Sequence, residues 1–137
     1  MRNYEIFSTT ADTGIRCKGR DFRELYGNAL RGLNLLLFGA NLRSTSGCDA
    51  VPFAFRGDGP ENVLVNLLSE ALSQVYGERR RLAAAVFRRA GRSAIDVRLL
   101  LAPCRRPPRV DIKSVTYHNL RVEERGGVKR AAIVFDV

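Results

Sequence analysis

At 137 residues, with 45% hydrophobic and 27% charged side chains, the chain has the size and composition of one folded domain with a single core, which excludes wholesale disorder. No run reaches the roughly eighteen apolar residues of a membrane span, and the opening Met1-Arg2-Asn3-Tyr4-Glu5-Ile6 lacks an apolar leader, so a cytoplasmic location and no membrane partner are expected. The net charge of +9 is confined to one stretch: ten arginines between Arg79 and Arg109 (79, 80, 81, 88, 89, 92, 98, 105, 106 and 109) face a single acid, Asp96, while the rest of the chain is balanced.

In chain order, Tyr4 and Ile6 alternate with polar neighbours, and Ile15 and Cys17 do so again after the turn-like Thr13-Gly14, which predicts two short strands or a hairpin. Asp21 with Glu24 three residues on has a capping-box pattern. Phe22, Leu25, Tyr26, Ala29, Leu30, Leu33 and Leu37 then keep the spacing of one buried helical stripe, giving a helix near 22–37. Residues 39–49 turn to Asn, Ser, Thr and Gly and read as a loop, and Val51, Phe53 and Phe55 alternate as a strand. Pro60 suits the first turn of a second helix near 61–76, whose apolar face includes Val63, Leu64, Leu67, Leu68, Ala71, Leu72 and Val75 and which Gly77 is expected to stop.

Beyond Gly77 the period changes from 3.6 to 2. Leu82–Phe87, Ala94–Leu101, Val115–Glu123 and Val128–Phe135 are predicted strands, the last two joined by a turn at Gly126-Gly127, and residues 103–108 form a loop or sheet edge because of their prolines. The expected architecture is α+β: one domain over residues 1–137, with a largely antiparallel or mixed sheet and both helices packed on one face.

Catalytic constellations are sparse. His118 is the single histidine, so a His-rich metal site is excluded and a Ser-His-Asp triad could form only around that residue. There is no Walker A loop and no dinucleotide-binding glycine motif, and Cys17, Cys48 and Cys104 are spaced for neither zinc nor a disulfide framework. The chain is therefore not expected to be an enzyme by itself. The arginine stretch could contact nucleic acid or an acidic protein, because guanidinium forks pair with phosphate and carboxylate. Two features weigh against an RNA surface: 20 of the 23 basic residues are arginine, which suggests compositional bias as readily as selection at one surface, and Phe87 is the stretch's sole aromatic. Arg105, Arg106 and Arg109, in the expected exposed loop, are the candidate partner contacts.

Three segments carry a family resemblance. Thr9-Thr10-Ala11-Asp12-Thr13-Gly14 is similar to a His-Thr-Ala-Asp-x-Gly motif, and Leu64-Val65-Asn66-Leu67-Leu68-Ser69-Glu70-Ala71-Leu72 to Leu-Val-Asn-Trp-Leu-Asn-Glu-Leu-Leu. Lys113-Ser114-Val115-Thr116-Tyr117-His118-Asn119-Leu120 resembles Lys-Ala-Val-Thr-Tyr-His-Gly-Leu, and the chain closes on Val134-Phe135-Asp136-Val137. In this order these segments resemble the archease family, accessory proteins of a GTP-dependent RNA-splicing ligase.

The resemblance implies a protein that helps such a ligase become guanylylated and turn over repeatedly in tRNA splicing or RNA repair. It also implies a divalent cation, usually calcium, held by Asp12, Asp136 and an oxygen of Val137. Hard cations take such oxygen ligands, and carboxylates near opposite ends of a chain meet if the first and last strands are neighbours. Read without the family, Asp12 is a turn residue and Asp136 a solvated strand end. The departures are Thr9 for the motif histidine, and Leu67 and Ser69 in the helix. His118 is retained, either as a partner contact or as a structural hydrogen-bonding residue. The alternative reading is a divergent archease-fold binding module that contacts RNA or another partner through its arginine-rich surface.

Overall fold

Alternation along Tyr4–Ser8 (β1) and Thr13–Gly19 (β2) produces the expected opening hairpin, with Tyr4 opposite Cys17 and Ser8 opposite Thr13. The computed structural model describes residues 3–137, so Met1 and Arg2 of the expected 1–137 domain lie outside the described residues. The turn falls at residues 9–12 and not at Thr13-Gly14, which belong to β2. The remaining elements are α1 (Phe22–Phe38), β3 (Asp49–Arg56), α2 (Pro60–Gly77), β4 (Arg80–Ala90), β5 (Ala94–Pro103), β6 (Ser114–Val115), β7 (Glu123–Arg125) and β8 (Val128–Asp136).

Local chemistry explains the helix limits. The Asp21 carboxylate accepts the Glu24 N–H at 2.8 Å, while Glu24 reaches back to the Arg20 N–H at 3.0 Å, one residue earlier than in a regular capping box. Gly39 closes α1 at φ +79°, donating its N–H to Leu35 O. Pro60 opens α2 as expected, but the left-handed residue after that helix is Arg79 (φ +54°), with Gly77 still inside the last turn.

The α+β class with two helices and antiparallel strands holds, and every strand pair among the described residues is antiparallel. The strands divide into two sheets where the sequence suggested one. The first has the order β1-β2-β8-β6 with β7 also on β8, and the second the order β3-β5-β4. α1 packs on β1, β2 and β8 and also on β4 and α2, so it is buried well beyond a single stripe. Its polar Asn28 is buried at no loss, donating to Lys18 O and accepting from Arg31. One core joins Ile15, Cys17 and Ile133 of the first sheet to Val97 and Leu99 of the second through both helices.

The expected strand Val115–Glu123 is broken. Thr116 Oγ1 accepts the His118 N–H, Leu120 N–H bonds back to Tyr117 O, and Asn119 adopts φ +52°, a conformation asparagine tolerates well. The Gly126-Gly127 turn is present, with φ +59° and +76° and Arg125 opposite Val128, the two-residue hairpin that needs positive φ twice.

Burial also separates the three thiols. Cys17 is fully buried and its pKa is pushed up to about 12 by desolvation, whereas Cys48 and Cys104 are partly exposed. Iodoacetamide in native buffer is expected to modify two thiols and in denaturant three, because the thiolate is the reacting form. Mass spectrometry showing rapid native alkylation of Cys17 would contradict this packing.

Candidate functional site at the end of the first sheet

The loop between β1 and β2 is tied by Thr9. Its N–H donates to Asp12 O at 2.8 Å, and its Oγ1 accepts from the Asp12 and Ala11 N–H groups at 2.9 and 3.2 Å. Threonine closes short turns in this way. Both backbone polar groups of Asp12 are thereby engaged within the loop.

Pairing of β2 with β8 sets Thr13 opposite Phe135, so one step further along the same register Asp12 comes beside Asp136. On the other flank of β8, Ser114 faces Asp136 and the Lys113 N–H donates to Asp136 O at 2.7 Å. Among the described residues, neither the Asp12 nor the Asp136 carboxylate has a hydrogen-bond or ion-pair partner within the protein.

The segment carrying His118 is anchored from two sides. Thr116 Oγ1 donates to Val134 O at 2.9 Å while accepting from the His118 N–H. From the first turn of α2, Asn62 Nδ2 donates to Tyr117 Oη at 2.7 Å and Glu61 Oε2 accepts the Val122 N–H at 2.7 Å. His118 is exposed, with Asn119 Nδ2 3.3 Å from its Nε2. Asp12, Thr116, His118, Asp136 and Val137 line one open cleft of about 350 Å³.

Two unpaired carboxylates with an oxygen of Val137 make a hard-donor set. Among the described residues no three His, Cys, Asp or Glu side chains gather to hold a metal by themselves. The donors fit a hard cation that keeps part of its hydration, as oxygen-liganded divalent ions do, and they do not fit zinc, which favours nitrogen and sulfur.

The arginine loop lies elsewhere. Cys104–Arg109 is irregular, with Arg105, Arg106 and Arg109 exposed as expected, and none of them lines the acidic cleft. Arg109, although exposed, also makes structural contacts. Its N–H donates to Leu37 O at 2.7 Å and its guanidinium lies against Gly39 at the C-terminal end of α1, where a cation meets the negative end of the helix dipole. His118 is thus separated from Arg105 and Arg106, with which it had been grouped as a partner contact. Thr9, Thr116, Glu61 and Asn62 were missed as positioning residues. A hydroxyl three residues before Asp12, and another two before His118, were the available signals.

Residues 4–137 match the archease protein family (MTH1598/TM1083). The chain belongs to the archease family. It is 30% identical over 139 residues to the protein archease of Thermoplasma volcanium, covering 98% of each chain. Its fold resembles the solution structure of Methanobacterium thermoautotrophicum protein 1598 (TM-score 0.69, 20% identity, 100% of both chains). It also resembles the crystal structure of an archease from Thermotoga maritima, described as a possible chaperone (TM-score 0.64, 20% identity, 96% of this chain and 94% of that one). Within the archease helix segment, the Leu67 departure is fully buried and the Ser69 departure is exposed on α2; neither lines the acidic cleft.

Proposed function

We propose that this archease assists a GTP-dependent RNA-splicing ligase, promoting its guanylylation and repeated turnover, and is not itself an enzyme. The observation that supports this most directly is the convergence of Asp12, Asp136, Val137 and His118 on one cleft, although 124 positions of sequence separate the two aspartates. In this reading Asp12, Asp136 and an oxygen of Val137 hold a divalent cation, calcium being the expected one. When bound, such a cation supplies positive charge to the cleft and a tie between the β1–β2 loop and the end of β8.

The chain's own residues have distinct tasks. Thr9 and Lys113 hold the two aspartates by their backbones and leave the carboxylates free, while Thr116 and Asn62 present His118 at the rim for a partner. Thr9 stands where the family motif has histidine. Its hydroxyl suffices to close the loop around Asp12, so cation binding does not require an imidazole there.

The test mixes the purified chain with a cognate ligase, GTP and broken tRNA and counts ligation events per ligase. Wild type should raise the count well above one, and Asp12→Asn or Asp136→Asn should return it to about one, with the thermal midpoint in chelator within about 1 kcal/mol of wild type as for exposed charges. Full stimulation by both variants would rule out the cleft as the working surface.

A further inference from the structure

The fold builds a second site, at the other cluster of charge. Arg79 and Arg80 follow α2, and Arg105 and Arg106 follow β5; the Cys104 N–H donates to Arg79 O at 2.9 Å, which clamps the two arginine pairs side by side. These four residues line a groove of about 290 Å³ together with Tyr76 and Phe38.

Three observations argue that the groove is more than a solvated charge patch. First, its arginines have almost no internal counter-charge: among the described residues their one recorded acidic partner is Asp49, 4.0 Å from Arg80 and 70% exposed. Second, the neighbouring Arg81 is only 7% exposed without a carboxylate partner. Its guanidinium lies 4.7 Å from the centroid of Phe38, a groove residue, one nitrogen donates to Ala40 O, and its Nε has no partner. Buried positive charge therefore adds to the field beside the groove. Third, Tyr76 is 39% exposed yet its ring is pinned, with its hydroxyl donating to Val110 O at 3.0 Å and accepting the Ile112 N–H at 2.9 Å.

Guanidinium forks bind phosphate oxygens two at a time, and a fixed aromatic face beside them stacks a base of any identity. We infer that the groove of Arg79, Arg80, Arg105 and Arg106 binds the backbone of single-stranded nucleic acid, with a base stacked on Tyr76. An acidic protein segment would use the same arginines, but it has no π-face for a pinned ring to stack on. The aromatic partner that the basic stretch lacks in sequence is supplied by the end of α2. The inference stands apart from ligase assistance and concerns the free chain.

The test is fluorescence anisotropy with a fluorescein-labelled six-nucleotide RNA, titrated at several salt concentrations without ligase. Four phosphate contacts predict a slope of log K against log salt of about −3, and Arg105→Ser/Arg106→Ser should bring it to about −1.5 with at least a tenfold loss at low salt. Tyr76→Leu, which keeps the ring's apolar packing, should weaken binding about tenfold, whereas Tyr76→Phe should stay within about threefold of wild type. Arg88→Ser/Arg98→Ser removes the same charge from exposed positions outside the groove and should leave the slope near −3. An equal loss in that control would overturn the site. Equally tight binding of a hexaglutamate peptide, with Tyr76→Leu indifferent, would overturn it in favour of an acidic protein ligand.

Discussion

Gly14→Val should lower the thermal unfolding midpoint by about 14 °C, corresponding to roughly 4 kcal/mol for a domain of this size. A Cβ built on Gly14 would overlap the carbonyl oxygen of Ile133 and stand 2.5 and 2.8 Å from two ring atoms of Phe7. The first obstacle is backbone of the neighbouring strand, so relief requires β2 and β8 to move apart where Gly14 pairs with Val134. Phe7 is the cross-strand partner of Gly14, and the Arg16 guanidinium lies 4.3 Å from its ring centroid, so displacing the ring also disturbs that contact. Overpacking costs about 1–3 kcal/mol and each lost ladder bond about 1 kcal/mol more, which together reach the stated figure.

Circular dichroism melts measure the shift, and a second substitution tests its cause. Phe7→Ala removes the ring but not the Ile133 carbonyl, so adding it to Gly14→Val should recover less than half of the loss. Full recovery would place the strain in the ring alone. A Gly14→Val midpoint within 2 °C of wild type would show that the strands separate freely, contrary to the tight register described above.

Elements with a clear hydrophobic period were legible before any coordinates. The stripe from Phe22 to Leu37 became α1, the face from Val63 to Val75 became α2, and Val128–Phe135 lies within β8. Periodicity reports which side of an element is buried and says little about what buries it. Phe38, outside the expected stripe of α1, is buried with Arg81 of the second sheet over its ring, and only the tertiary arrangement contains that information. The strand expected over Val115–Glu123 failed for a local reason: the alternation begun at Val115 and Tyr117 was outweighed by the Thr116 hydroxyl and the left-handed Asn119.

The candidate site was legible in a different way. Nothing in spacing alone joins Asp12 to Asp136; the family motifs did so, and the β2–β8 register supplies the physical reason. The groove residue Tyr76 was hidden because it reads as the end of the apolar helix, and Arg105 and Arg106 come beside it only in space. Arg109 is exposed with its loop as expected, and its guanidinium additionally lies against Gly39 at the end of α1, a contact its position in the sequence does not reveal.

The cation reading predicts a change of sign. Without a divalent ion, Asp12→Asn removes one of two neighbouring carboxylates that have no partner among the described residues, so mutual repulsion falls and the variant should melt no lower than wild type. Its backbone bonds to Thr9 do not involve the side chain and survive the substitution. With calcium at one hundred times the dissociation constant, wild type gains about 2.7 kcal/mol by linkage, or about 10 °C at this chain length. The variant, with one anionic ligand fewer, should gain less than a third of that, so the order of the two midpoints reverses between chelator and calcium. Asp136→Asn should behave alike, and the double variant should show almost no calcium response, because both carboxylates serve one ion. A purely structural role for Asp12 predicts the opposite pattern, a lower midpoint in chelator and an unchanged calcium shift. Differential scanning fluorimetry across a calcium titration separates the two, and magnesium in the same series reports how far the cleft prefers the larger ion with its looser geometry.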